Sequence, residues 1–289
     1  MKKTALIYTG VTAALGVVGA ALHSIQMNTI LDPDSGLALR MAPISVCLAA
    51  VSVLSMVIVF ALTFLVKGRQ VEPLYYAAFY ARTPAVFFIS AATCALMLFG
   101  AFLCLQNGIG TRSSEMLVRM LAVFAALSGI SWCIMQLMAY KKKSGAETML
   151  CSFVMVLFLC LWLIAYYQEK AAETAMVSYV YDFLALCAAA VASYYAAGYA
   201  FGRSRPRATL FFSMAAAFFC LTAMPMAMTP AFCVFFTVTA VQQLVTVFLL
   251  VNNLEYPAES GGEYADEEYQ KYEAYDEYDI YVDGDHTEE

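Results

Sequence analysis

Residues 179–201 read YVYDFLALCAAAVASYYAAGYAF, and Gly202-Arg203-Ser204-Arg205-Pro206-Arg207 follows directly. At about 1.5 Å of rise per residue, such a run crosses a hydrocarbon core of about 30 Å as one helix. Asp182 is the only carboxylate placed inside any such run. Ala188, Ala192, Ala196 and Ala200 recur four apart and predict a small-residue packing face. The arginine cluster behind the run is a basic stop, and such stops mark the cytoplasmic end of a span.

Similar runs lie on both sides of this one. The expected spans are about 4–22, 42–66, 84–105, 117–140, 148–167, 178–201, 208–228 and 231–251. Unbroken apolar runs without alternation predict helices, because backbone groups in lipid must be satisfied within the segment. The fold class expected is an all-α polytopic bundle of about eight transmembrane helices. Hydrophobic residues make up 62% of the chain and charged residues 13%, about half the charged share of a soluble domain. The remaining segments leave no stretch long enough for a separate soluble domain.

The first run, Ala5 to Leu22, has two readings. Gly19 and Ala21 suit a signal-peptide cleavage site. An uncleaved first span is favoured, because many more spans follow. Thr12, Gly16 and Ala20 then form a small-residue face for close packing. Asp32-Pro33-Asp34-Ser35-Gly36 is a turn, since the spacing of a calcium loop and its distal Glu are absent. Residues 71–82, with Tyr75, Tyr76, Phe79, Tyr80 and Arg82, predict a short helix on the membrane surface with its aromatics at headgroup level. Glu115 and Arg119 predict an i,i+4 pair. The link from Pro225 to Pro230 predicts a tight hairpin between the last two spans.

Basic residues set the orientation. Lys2, Lys3, Lys67, Arg69, Arg82, Lys141, Lys142, Lys143, Arg203, Arg205 and Arg207 fall on one side of an eight-span arrangement. Arg40, Arg112, Arg119 and Lys170 fall on the other. Both termini are therefore expected in the cytoplasm, with the chain multi-pass in a plasma membrane of bacterial type. The lysine and arginine clusters are topology signals, and no nucleic-acid partner is expected.

The net charge of -6 conceals a division. Residues 252–289 hold 14 acidic residues against Lys271, while residues 1–251 hold 15 basic and 8 acidic residues. This acidic tail, with Tyr269, Tyr272, Tyr275, Tyr278 and Tyr281 three apart, has no amphipathic helix period and is expected to be disordered. Those tyrosines are the candidate tail contacts. The partner they suit is a basic cytoplasmic protein or the chain's own basic loops.

Chemistry inside the spans rests on few residues. An ionisable side chain in a span is a functional candidate, since inserting one costs about 2.5–3.5 kcal/mol at the midplane on translocon scales. Asp182 lies near the outer end of its span, where that cost is lower. A structural pairing with Arg112, Arg119 or Lys170 competes with a role in binding a proton, cation or substrate. Gln136, Gln242 and Gln243 are candidate polar groups of the same in-membrane site, or interhelical hydrogen-bonding residues. His23 reads as an interfacial residue or a pH-sensitive group.

Enzyme classes are disfavoured. The two histidines, His23 and His286, lie at opposite ends of the chain, so the His-Glu-x-x-His zinc motif is absent. A second in-span aspartate, an in-span histidine and a phosphate-binding Gly-x-x-x-x-Gly-Lys sequence are absent too. The nine cysteines form no Cys-x-x-Cys pair and read as packing residues. No catalytic residue, cofactor or metal is expected. Two functions remain: a small-molecule or ion carrier, or the membrane component of one; and a membrane scaffold, sensor or assembly partner working through the acidic tail. The lipid bilayer is a partner in both.

Overall fold

A computed structural model describes residues 3–30, 43–66, 75–81, 83–110, 114–143, 145–171 and 179–255. The described residues form α1 (Lys3–Ile30), α2 (Pro43–Leu65), α3 (Tyr75–Phe79), α4 (Pro84–Asn107), α5 (Glu115–Tyr140), α6 (Ala146–Lys170), α7 (Val180–Gly198), α8 (Pro206–Ala223) and α9 (Pro230–Glu255). All but α3 are long and apolar enough to cross a membrane, and no strand occurs among the described residues. The protein is an all-α polytopic bundle.

Burial, rather than composition, separates the helices into centre and rim. α8, with its Ala215-Ala216-Ala217 core, and α9 bury 67% and 72% of their most apolar stretches, against 17% for α2. α8 packs against α7, α1, α9 and α2, while α9 packs against α8, α4 and α1. α2 turns Val46, Val53, Leu54, Val57, Phe60 and Phe64 outward. An outward face of this kind suits lipid, which is as apolar as the side chains themselves.

Without a hydrophobic drive between helices in lipid, close van der Waals packing holds such a bundle together. Glycine supplies that closeness at several crossings, among them α1–α8 and α4–α9. A Cβ on Gly19 of α1 would lie 2.3 Å from Thr222 Oγ1 of α8. A Cβ on Gly100 of α4 would lie 2.7 Å from the Phe235 ring of α9. On α7 the buried face runs through Ala185, Ala189, Ala192 and Ser193, so it is rotated from the expected ladder, with Ala188 and Ala196 at its margin.

Two apolar clusters stack along the bundle. One gathers Met97, Leu121, Trp162, Tyr181 and Phe235. The other gathers Tyr8, Val59, Tyr75, Phe79, Met135 and Leu250, at the end that carries α3. Between them the helices bury polar residues: Thr12 on α1, Ser55 on α2, Ser90 on α4, Ser128 on α5, Ser193 on α7, and Gln242 and Gln243 on α9. Two of these hydroxyls are satisfied within their own helix, Thr12 donating to the Tyr8 carbonyl and Ser90 to the Val86 carbonyl, both at 2.8 Å. They serve as small packing residues, whereas Ser55 Oγ, Gln242 Nε2 and Gln243 Oε1 are buried polar atoms of this layer without a hydrogen-bond partner within the protein.

Several boundaries differ from the expected ones. α1 continues past 22 to Ile30, which brings His23 and Gln26 into the buried interior. α7 stops at Gly198, because the Arg203 N–H turns back to the Gly198 carbonyl at 2.7 Å and Gly202 takes φ +69°. Only glycine adopts that conformation without strain. α9 runs beyond 251 to Glu255, so the start of the expected tail, Asn252 to Leu254, is helical and buried.

The clearest difference concerns α3. All five of its residues are buried, against α9 and α5, rather than spread at headgroup level. Phe79 packs on Tyr75 and Tyr199, with ring centroids 4.7 and 5.2 Å apart. Asn253 of α9 donates from Nδ2 to the carbonyls of Ala78 and Tyr80, at 2.9 and 3.0 Å. A short helix has few internal bonds to satisfy its terminal carbonyls, and the α9 amide does this from inside the bundle. The Glu115–Arg119 pair forms at 3.1 Å, and a short turn over Met224–Met226 closes the α8–α9 hairpin, as the sequence leads one to expect.

Candidate functional site

Asp182 stands in the first turn of α7, where the unpaired amides of a helix start favour a negative charge. Its side chain is nonetheless turned into the bundle and is 2% exposed. There it accepts a hydrogen bond from the Tyr166 hydroxyl of α6. Tyr166 is itself fully buried, its ring 5.6 Å from Phe183 and 5.9 Å from Phe232. Of the basic residues expected to compete for Asp182, Arg119 is engaged by Glu115, Arg112 lies outside the described residues, and Lys170 closes α6 one turn beyond Tyr166.

The neighbouring residue on α7 reaches a second set of helices. The Tyr181 hydroxyl lies 3.2 Å from Ser52 Oγ of α2, and its ring centroid is 5.1 Å from that of His23 on α1. His23 is 1% exposed, and its Nδ1 lies 3.0 Å from the Thr222 carbonyl of α8. A carbonyl only accepts, so Nδ1 carries the proton in this contact. The reading of His23 as interfacial is therefore corrected: the longer α1 carries it inside. Further along the same face, Gln26 donates from Nε2 to Ser45 Oγ of α2 at 3.0 Å.

One end of the bundle thus brings two ionisable side chains, Asp182 and His23, to the C-terminal turns of α8. A carboxylate beside a phenol hydroxyl can hold a proton or a cation, and the hydroxyl can follow the change by donating or accepting. The sequence singled out Asp182 by its place in an apolar run. It gave no such signal for Tyr166, Tyr181, Ser52 or Thr222, because ordinary aromatic and hydroxyl residues in a span become partners only through packing.

The glutamines lie elsewhere. Gln243 donates from Nε2 to Ser193 Oγ of α7 at 3.3 Å. Ser193 is three turns beyond Asp182 on the same helix, about 16 Å away at 1.5 Å per residue. Gln242 is buried beside Gln243 in the polar layer. Gln136 is buried on α5 nearer the α3 end, with neither side-chain amide atom bonded within the protein. The four candidates therefore divide between two depths rather than forming a single site. Tyr269, Tyr272, Tyr275, Tyr278 and Tyr281 lie outside the described residues.

Among the described residues, no three His, Cys, Asp or Glu side chains converge as a metal site requires. Cys104, Cys151 and Cys220 are buried packing residues, whereas Cys47, Cys160 and Cys187 are on the outer face of the bundle. The chain matches no family model, no curated protein and no solved structure.

Proposed function

We propose that this chain is a carrier for a small solute or ion, or the membrane component of one, in a bacterial plasma membrane. The observation that carries the reading is the inward-facing Asp182, buried and held by Tyr166. A carboxylate one turn from a helix end has a short route to the water layer, and burial removes that solvation. A chain that keeps the charge inside has a use for it there. The basic residues Lys3, Lys141, Lys142, Lys143, Arg203, Arg205 and Arg207 flank the α3 ends of their helices, which supports placing that end and both termini in the cytoplasm.

The test is purification of the full chain in gentle detergent beside a form truncated after Tyr256, with mass spectrometry of what each retains. A small molecule or cation held by both forms supports the carrier reading. The runner-up reading, a scaffold, sensor or assembly partner, draws on the strongly acidic composition of residues 252–289. It expects instead a basic protein that is lost with the tail and weakened by raising salt through the physiological range. A reporter active only in the cytoplasm, fused after Glu289, is expected to be active; an inactive but intact fusion would reverse the orientation.

A further inference from the structure

Side chains of α5, α6, α7 and α9 line a chamber of about 20 Å³ directly under α3. Trp132, Ser152, Ser193, Gln243 and Thr246 line it, and Tyr75 and Phe79 roof it. No lining residue is acidic or basic. Burial pushes the Tyr75 phenol well above its usual range, so it too stays neutral.

The hydrogen-bond pattern of the lining is asymmetric. Ser152 donates to the Met149 carbonyl at 2.8 Å and Thr246 to the Gln242 carbonyl at 2.9 Å. The Gln243 Nε2 donates to Ser193. One donor, Trp132 Nε1, and one acceptor, Gln243 Oε1, have no partner within the protein, although both residues are only 4% exposed. Buried polar groups are almost always satisfied. A single water needs about 10–15 Å³ by the same measure of volume, and two to four polar neighbours. The chamber meets both requirements.

We propose that this chamber is a binding site for one neutral, water-sized molecule, water itself, which accepts from Trp132 Nε1 and donates to Gln243 Oε1, and that α3 is its gate. Asn253 is the latch. Its amide holds the Ala78 and Tyr80 carbonyls, so a single side chain ties the last turn of α9 to the roof. Gln243, Thr246 and the latch all lie on α9, so a shift of that helix moves lining and latch together. The site involves no charge at Asp182 and stands whether or not the chain is a carrier.

The test is hydroxyl-radical footprinting by X-ray pulses on the full chain in detergent, with mixing into ¹⁸O-labelled water before the pulse. A bound water generates radicals beside its neighbours, so Trp132 and Met155, which also lines the chamber, are expected to be oxidised despite their burial. Trp162 is the internal control: its Nε1 likewise has no partner within the protein, but it is fully buried among Phe158, Phe232, Phe235 and Phe236 and does not line the chamber. Trp132 oxidation several-fold faster than that of Trp162 supports the site; equal rates overturn it. Gln243→Met, which keeps the bulk and removes the acceptor, is expected to lose most of the Trp132 signal without changing Trp162. Should that variant melt early, the Trp132-to-Trp162 ratio in the native chain decides the site by itself. Asn253→Ala is expected to speed ¹⁸O appearance in the Trp132 product several-fold, and an unchanged exchange time would overturn the gate.

Discussion

If the chain is a carrier as proposed, Asp182→Asn is expected to abolish retention and vesicle uptake of its solute, while the yield and melting temperature stay at or above native values. Asparagine has nearly the shape of aspartate, and its amide oxygen still accepts the Tyr166 hydroxyl. What it removes is the capacity to carry a charge or exchange a proton. A charge inside a span costs up to about 2.5–3.5 kcal/mol on translocon scales, so its loss relieves the fold rather than harming it. Asp182→Leu is the contrasting variant. It leaves the buried Tyr166 hydroxyl without this acceptor, a desolvation cost of about 1–3 kcal/mol. A carrier predicts loss of uptake in both variants but loss of stability mainly in the second. Native uptake by the asparagine variant would remove Asp182 from the mechanism, and a large melting loss there would make the carboxylate structural.

Gly19→Ala is expected to destabilise the α1–α8 crossing by about 1–3 kcal/mol, the range for forcing a methyl into a packed interior. The new Cβ would lie 2.3 Å from Thr222 Oγ1 and 3.3 Å from the Phe218 ring. Thr222 cannot simply rotate, because that hydroxyl donates to the Phe218 carbonyl at 2.9 Å. Helix separation is the remaining response, and it would also loosen the His23 contact with the Thr222 carbonyl. Adding Thr222→Ala removes the colliding oxygen and is expected to recover most of the lost stability. Melting curves in detergent for the two single variants and the double form the cycle. Additive losses would show that the two residues do not share one crossing.

The site was only partly legible in the sequence. Asp182 could be singled out because a carboxylate in an apolar run is conspicuous by itself. Its partner Tyr166, and the His23–Tyr181–Ser52 group beside it, could not, because each depends on which helices become neighbours. His23 and Thr222 are 199 positions apart, and Tyr181 and Ser52 are 129 apart. The amides were visible as polar residues in spans, but the sequence did not show that Gln243 and Asp182 lie at different depths.

The architecture divides in the same way. Eight helices of membrane length, and the alternating basic stops between them, were determined by the sequence alone, because helix formation in lipid and loop charge are properties of continuous segments. Only the tertiary structure decided that α8 and α9 are central and α2 peripheral, since all three runs are apolar enough to sit in either place. It also decided the fate of Tyr75 to Phe79, whose aromatic composition suits a headgroup layer as well as a core. The α9 amide at Asn253, 175 positions from Ala78, draws that segment inward by satisfying carbonyls that a surface helix would leave to water.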